Sequence, residues 1–106
     1  MASYAKYFRL PTAEKGDTWE GQEFTLYVNG ELKDLTDASI VLTLDTGDTL
    51  TSAGGDITIT DAANGVFQID EQTIDFVEGV HSYEIKFTFS DGDIKTYIKG
   101  DWEITK

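Results

Sequence analysis

Residues 79–106 read GVHSYEIKFTFSDGDIKTYIKGDWEITK, and this stretch decides the fold. Two runs rich in β-branched and aromatic residues flank Asp91 and Gly92. An Asp-Gly dipeptide favours the positive φ angles of a type I′ turn, which matches the twist of two antiparallel strands. The stretch therefore predicts a long β-hairpin at the C-terminal end of the chain.

A two-residue loop also sets the register of this hairpin, because Ser90 then stands opposite Asp93. The cross-strand pairs that follow are Phe89 with Ile94, Ile85 with Ile98, Glu84 with Lys99, Tyr83 with Gly100, and His81 with Trp102. Apolar side chains meet apolar ones, and one acidic side chain meets a basic one. We expect the ladder to reach the chain end unless Gly100 forms a bulge.

The rest of the chain alternates apolar and polar residues, with Gly, Asp and Asn interrupting about every 8 to 12 residues. The apolar sets that share a face are Phe24, Leu26 and Val28; Ile40, Leu42 and Leu44; Ile57 and Ile59; and Phe67 and Ile69. No stretch sustains a helical period. The pattern predicts an all-β fold, an immunoglobulin-like antiparallel β-sandwich of about seven or eight strands.

Asn29 and Gly30 form a second hairpin dipeptide. A strict two-residue loop would place Leu26 opposite Lys33, which is a poor pairing of an apolar with a charged side chain. We therefore expect a turn into a short irregular strand at this point.

Composition favours one folded domain with its own core. The chain has 106 residues, of which 40% are hydrophobic, so it can bury enough apolar surface to offset its ordering entropy. Without cysteine and with one histidine, a single copy can build neither a disulfide nor a zinc site, and we predict no metal or cofactor. We also expect no membrane-spanning segment and no signal peptide.

The formal net charge of −12 repels phosphate backbones and anionic lipid, so we expect neither nucleic acid nor a membrane as partner. The charge is uneven. Residues 1–15 carry three basic residues against one acidic residue, or +2, whereas residues 16–106 carry five against nineteen, or −14. The N-terminal segment is electrostatically distinct from the rest of the chain.

Residues 1–14 fit the alternation poorly and contain the chain's only proline, Pro11. We interpret them as an extended N-terminal arm ahead of a sandwich domain at residues 15–106. The arm is too apolar for a solvated tail, so we expect it to dock on its own sandwich as an edge strand or on a neighbouring subunit. The predicted partner-binding residues are Tyr4, Tyr7, Phe8, Arg9 and Leu10.

Several motifs have a chemical and a structural interpretation. Asp45, Thr46 and Gly47 resemble the signature of retroviral-type aspartic proteases, in which two copies of the aspartate share a proton; a solvated turn is the structural alternative. Aspartate pairs in other turns lack the spacing of a calcium loop.

His81 has no partner nucleophile in the sequence, so we expect a structural role, and we predict no catalytic residues.

Four aromatic residues could form a platform for a sugar ring: Trp19, Tyr27, Tyr97 and Trp102. Burial in the core is the alternative interpretation for the two tryptophans. A carbohydrate-binding module for host-surface glycan is thus a second hypothesis for function, and the dimeric protease is a third.

The order of turns and strands resembles the small β-sandwich modules of bacteriophage tail, baseplate and fibre-anchoring proteins over about residues 16–105. The matching motifs are Gly16-Asp17-Thr18, Phe24-Thr25-Leu26, Asn29-Gly30, Asp34-Leu35-Thr36-Asp37-Ala38, Ile40-Val41-Leu42-Thr43-Leu44, Ile57-Thr58-Ile59-Thr60-Asp61, Gly65-Val66-Phe67, Tyr83-Glu84-Ile85, Asp91-Gly92 and Lys99-Gly100-Asp101-Trp102. The resemblance implies a non-enzymatic adaptor in virion assembly, made in the cytoplasm of the bacterial host. Its implied partners are other virion structural proteins and further copies of itself in a symmetric assembly.

Overall fold

The computed structural model describes residues 6–106, which form an all-β domain with one three-residue 3₁₀ helix at Ala62–Asn64. The all-β prediction is confirmed. The described part has thirteen strands, more than the seven or eight expected, because five of them are only two residues long. They are β1 (Lys6–Tyr7), β2 (Leu10–Glu14), β3 (Thr18–Trp19), β4 (Gln22–Thr25), β5 (Tyr27–Val28), β6 (Glu31–Leu32), β7 (Ser39–Leu44), β8 (Thr49–Thr51), β9 (Ile57–Asp61), β10 (Val66–Ile69), β11 (Gln72–Thr73), β12 (Gly79–Thr88) and β13 (Ile94–Thr105).

The longer strands lie in two main sheets. The larger has six strands in the order β1-β13-β12-β7-β8, with β2 also pairing with β13, and the smaller has the order β4-β10-β9. Two further pairs join β3 to β11 and β5 to β6. β1 and β2 run parallel to β13, and the other pairings are antiparallel. This arrangement is compatible with a β-sandwich.

The core lies between the two main sheets and contains a row of phenylalanines. Phe24 and Phe67 stack in the smaller sheet with ring centroids 5.2 Å apart, and Phe67 meets Phe87 of the larger sheet edge-on at 5.4 Å. Edge-to-face contacts at this distance are favourable beyond the area that they bury. The apolar sets predicted from period-two alternation are buried or half-buried, as on strands with one face towards a core.

The predicted register of the β12–β13 hairpin is confirmed in the part far from the turn, from Ile85 back to Gly79 on β12, and is wrong near the turn. Opposite residues there include Ile85 with Ile98, Glu84 with Lys99, Tyr83 with Gly100, and His81 with Trp102, as expected. Nearer the turn, Thr88 stands opposite Ile94, so the expected pairing of Phe89 with Ile94 is absent.

The register near the turn is shifted by one residue because the loop has three residues, 90–92, instead of two. The Gly92 N–H donates to the Phe89 carbonyl, the Phe89 N–H donates to the Asp93 carbonyl, and each bond is 2.8 Å long. Gly92 has φ 92°, but Asp91 is not among the positive-φ residues, so the turn is not type I′. An extra residue on β13, Tyr97, forms a bulge opposite Ile85 and Lys86 and restores the predicted register.

The expectation of an irregular strand after Asn29 and Gly30 is wrong. Both residues have positive φ, 55° and 82°, as a type I′ turn requires. Val28 stands opposite Glu31 in a strict two-residue hairpin, and the Lys33 N–H donates to the Leu26 carbonyl at 3.0 Å. The poor pairing of Leu26 with Lys33 is tolerated because Leu26 is buried while the Lys33 ammonium group lies over the Phe89 ring, 4.6 Å from its centroid.

We expect Gly92→Ala to lower the free energy of unfolding by about 1–2 kcal/mol, because a side chain at this positive φ is strained although the space around it is open. Ser90→Ala in the same loop is the control and should change stability by less than about 0.5 kcal/mol. Urea unfolding followed by tryptophan fluorescence measures both. Equal unfolding midpoints for the two variants would contradict the observed turn.

Candidate partner-binding site at the N-terminal edge

Residues 6–14 form one edge of the larger sheet. In β1, Tyr7 stands opposite Lys99, and in β2, Leu10 stands opposite Trp102. Apart from β13, no strand within residues 6–106 pairs with β2, so the outer side of this strand is open. The segment thus lies on its own sandwich in this structure, and docking of residues 1–14 on a neighbouring subunit stays a prediction.

The predicted site residues alternate between the core and the solvent. Leu10 is buried, and the half-buried Phe8 packs edge-on against Phe24 with ring centroids 5.1 Å apart. Tyr7 and Arg9 are exposed. Tyr4 lies outside the described residues. The segment therefore presents two of its predicted partner-binding side chains outward and uses two others to attach itself.

The absence of a side chain at residue 100 lets the segment lie close to β13. Gly100 forms no bulge but stands opposite Tyr83, and a Cβ atom at residue 100 would overlap the Phe8 carbonyl. That carbonyl accepts a hydrogen bond of 2.5 Å from the Tyr83 hydroxyl, while the Phe8 N–H donates to the Lys99 carbonyl at 2.8 Å. A glycine inside a strand often marks such a close backbone approach, so this contact had a signal in the sequence.

Pro11 is held by both tryptophans. Its carbonyl accepts the indole N–H of Trp19 at 3.2 Å and that of Trp102 at 3.0 Å, and the two indole rings pack with centroids 4.8 Å apart. Both tryptophans and Tyr97 are buried, and only Tyr27 of the four candidate platform residues is exposed. These four side chains therefore do not form an exposed surface for stacking a sugar ring.

Polar bonds attach the outward-facing side of the segment to β13. The Tyr7 hydroxyl donates to Asp101, which raises the pKa of this phenol above its ordinary value. Arg9 forms an ion pair with Glu103 at 3.4 Å, and the Thr12 hydroxyl donates to the same carboxylate. Because these groups are exposed, each bond contributes little stability, and a partner could replace them.

A groove of about 390 Å³ lies beside the open side of β2, between this strand and β3. Its apolar lining includes Pro11 and Trp19. The charged residues that line it are all acidic: Glu14, Asp17 and Glu20. The groove is thus suited to an extended segment or surface that is basic or uncharged.

A second polar cluster joins Asp45 and His81, which sequence reasoning treated separately. His81 Nδ1 lies 2.8 Å from Asp45 Oδ1, and the Ser82 N–H donates to Asp45 Oδ2 at 3.1 Å. His81 Nε2 lies 2.6 Å from the Val77 carbonyl oxygen. The hydrogen bonds from His81 and then from Ser82 lower the pKa of Asp45 below its ordinary value of 3.8.

This geometry does not favour catalysis by either group. A histidine general base needs a ring nitrogen facing a nucleophile, whereas Nδ1 of His81 faces Asp45 and Nε2 faces the Val77 carbonyl. A retroviral-type aspartate shares a proton with its copy, whereas both carboxylate oxygens of Asp45 accept hydrogen bonds from its own chain. Asp45 lies in the β7–β8 turn, where Gly47 has φ 95°.

We expect Gly100→Ala to reduce the free energy of unfolding by about 1–3 kcal/mol, because the added methyl group must displace the backbone at Phe8. The exposed Lys95→Ala on the same strand is the control and should have little effect. Urea unfolding measures stability, and amide chemical shifts of residues 6–14 report displacement of the segment. Wild-type stability and unchanged shifts in the glycine variant would refute the close approach.

Within residues 6–106, no cluster of three or more His, Cys, Asp or Glu side chains is arranged to hold a metal ion. The same part of the chain contains no helix that is both long and apolar enough to cross a membrane. No protein family, curated protein or solved structure matches this chain.

Proposed function

We propose that this chain is a non-enzymatic structural module of a phage virion, in the tail, the baseplate or the fibre attachment, and that it acts as an adaptor in assembly. The observation that carries the proposal is the open side of β2 beside the acidic groove. Pro11 has no N–H and its carbonyl already accepts both indole N–H groups. A docking strand therefore depends on the remaining residues of this unpaired edge, 12–14, and on the space that the groove offers for side chains.

The charge of the chain fits an ordered assembly better than non-specific association. A net charge of −12 keeps copies apart in solution, so stable contacts need a specific complementary surface. The groove meets that need through its acidic residues and apolar lining. We infer that its partner is a basic or neutral surface of another structural protein or of a second copy.

From the resemblance of the sequence motifs to phage modules we infer an immunoglobulin-like sandwich as the finer description of the all-β fold. A rigid sandwich with edge strands on its surface suits repetition by symmetry, in which one surface meets the next copy. The clustered titratable side chains of Asp45 and His81 bond to each other and to the backbone, which supports a structural role for them.

The docking part of the proposal can be tested by reversing charge in the groove. We expect the double variant Glu14→Lys and Glu20→Lys to weaken self-association or binding to purified virion proteins by at least about tenfold, because like charges across an interface are costly. Glu31→Lys combined with Glu23→Lys, both exposed outside the groove, is the control with the same change in net charge. Sedimentation velocity measures the affinities. Equal affinities for the two double variants would contradict docking at the groove.

The virion assignment has a separate test. We expect mass spectrometry of purified particles from the source to detect this chain in a fixed ratio to the other tail proteins, because symmetric assembly sets copy number. A lysate fraction of similar density without particles is the control. Absence of the chain from intact particles would overturn the assignment.

A further inference from the structure

We propose that His81 is a pH-sensitive clamp that, as the imidazolium ion, joins the loop of residues 74–78 and the β7–β8 turn to the start of β12. The imidazole is the only one in the chain and is 7% exposed. It lies where three parts of the fold meet. This inference does not depend on the proposed function.

The two partners of the ring define its protonation state. Nε2 is 2.6 Å from the Val77 carbonyl oxygen, and Nδ1 is 2.8 Å from a carboxylate oxygen of Asp45. A carbonyl and an ionised carboxylate can only accept hydrogen bonds, so each ring nitrogen must carry a hydrogen to complete both bonds. Only the imidazolium ion has two N–H groups. A neutral ring would leave one nitrogen lone pair facing an acceptor.

The surrounding charges favour the cation. The β7–β8 turn brings Asp45 and Asp48 to the ring. Residues 74–78 include Asp75 and Glu78. Asp101 and Glu103 flank Trp102, which stands opposite His81, so they point to the other face of the sheet. Lys99 on β13 lines a shallow pocket together with Asp45 and Ser82, and its positive charge opposes the cation. The bond to the Val77 carbonyl raises the pKa of His81 above its ordinary value of 6.5, burial opposes this, and the two aspartates of the turn reinforce it.

The loop of residues 74–78, which His81 bonds through Val77, connects the clamp to the pair of tryptophans, Trp19 and Trp102. In this loop Phe76 packs edge-on against Trp102 at 5.6 Å, and Ile74 exchanges backbone hydrogen bonds of 2.8 and 2.9 Å with Gly16 and Asp17. Loss of the His81 proton removes one of the two bonds through which the ring joins residues 74–78 to the β7–β8 turn. The loop, the turn and the segment after β2 are therefore linked to one titration.

The sign of the pH dependence follows from the two titrating groups. A raised folded-state pKa means that the contribution of His81 is complete below pH 6.5 and is lost as pH rises through the folded-state value. The lowered pKa of Asp45 means that its contribution is complete above pH 3.8 and is lost as pH falls through its own folded-state value. The clamp is strongest between these two ordinary values.

Nitrogen-15 NMR of the wild-type chain tests the proposal directly, because there is one imidazole to observe. We expect two protonated ring nitrogens below pH 6.5, a titration midpoint above 6.5, and amides of residues 45, 77 and 82 that shift with that midpoint while the Phe67 amide does not. Asp45→Asn should lower the midpoint by about 1–3 pH units, and Asp48→Asn, with the same loss of charge, should lower it less.

Three outcomes would overturn the clamp. They are a wild-type midpoint at or below 6.5, equal midpoints in the two asparagine variants, and amide shifts that do not follow the imidazole. A wild-type titration needs no variant to fold, so the first and third outcomes can be decided even if Asp45→Asn is unstable.

Discussion

The β12–β13 ladder is the pairing on which the rest of the structure depends. β12 lies between β13 and β7, and β13 in turn carries β1 and β2, so an error in this register would propagate to both sides of the larger sheet. A shift of one residue exchanges the faces of a strand. The turn introduces such a shift and the bulge at Tyr97 removes it. The bulge also lets two consecutive residues, Tyr97 and Ile98, be buried.

The N-terminal segment depends on this ladder, because β13 supplies both its backbone partners and its side-chain contacts. Leu10 enters the core beside Trp102, and the Pro11 carbonyl receives both indole N–H groups. The indoles therefore lie inside the domain, where they fix the edge strand. The same attachment leaves the outer side of β2 open, and the proposed assembly role rests on that side.

The roles of Asp45 and His81 depend on the residues that they contact in the fold. Asp45 taken alone matches a protease motif and His81 taken alone has no partner. In the fold, His81 Nδ1 lies 2.8 Å from Asp45 Oδ1, and each side chain also bonds a backbone group, the Ser82 N–H for Asp45 and the Val77 carbonyl for His81. Burial with two acceptors makes the imidazole a structural cation. The residue separation of 36 positions explains why sequence reasoning did not connect them.

The sequence by itself determined the all-β class, the apolar faces and the distal register of the hairpin, because period-two alternation and cross-strand pairing are local properties of the chain. Tertiary structure decided the three-residue turn, the compensating bulge at Tyr97, the parallel pairing of residues 6–14 and the bond between Asp45 and His81. Each of these depends on which distant groups fill the same space. Gly100 illustrates the difference: its identity is a local fact, but only the path of Phe8 explains why a side chain cannot stand there.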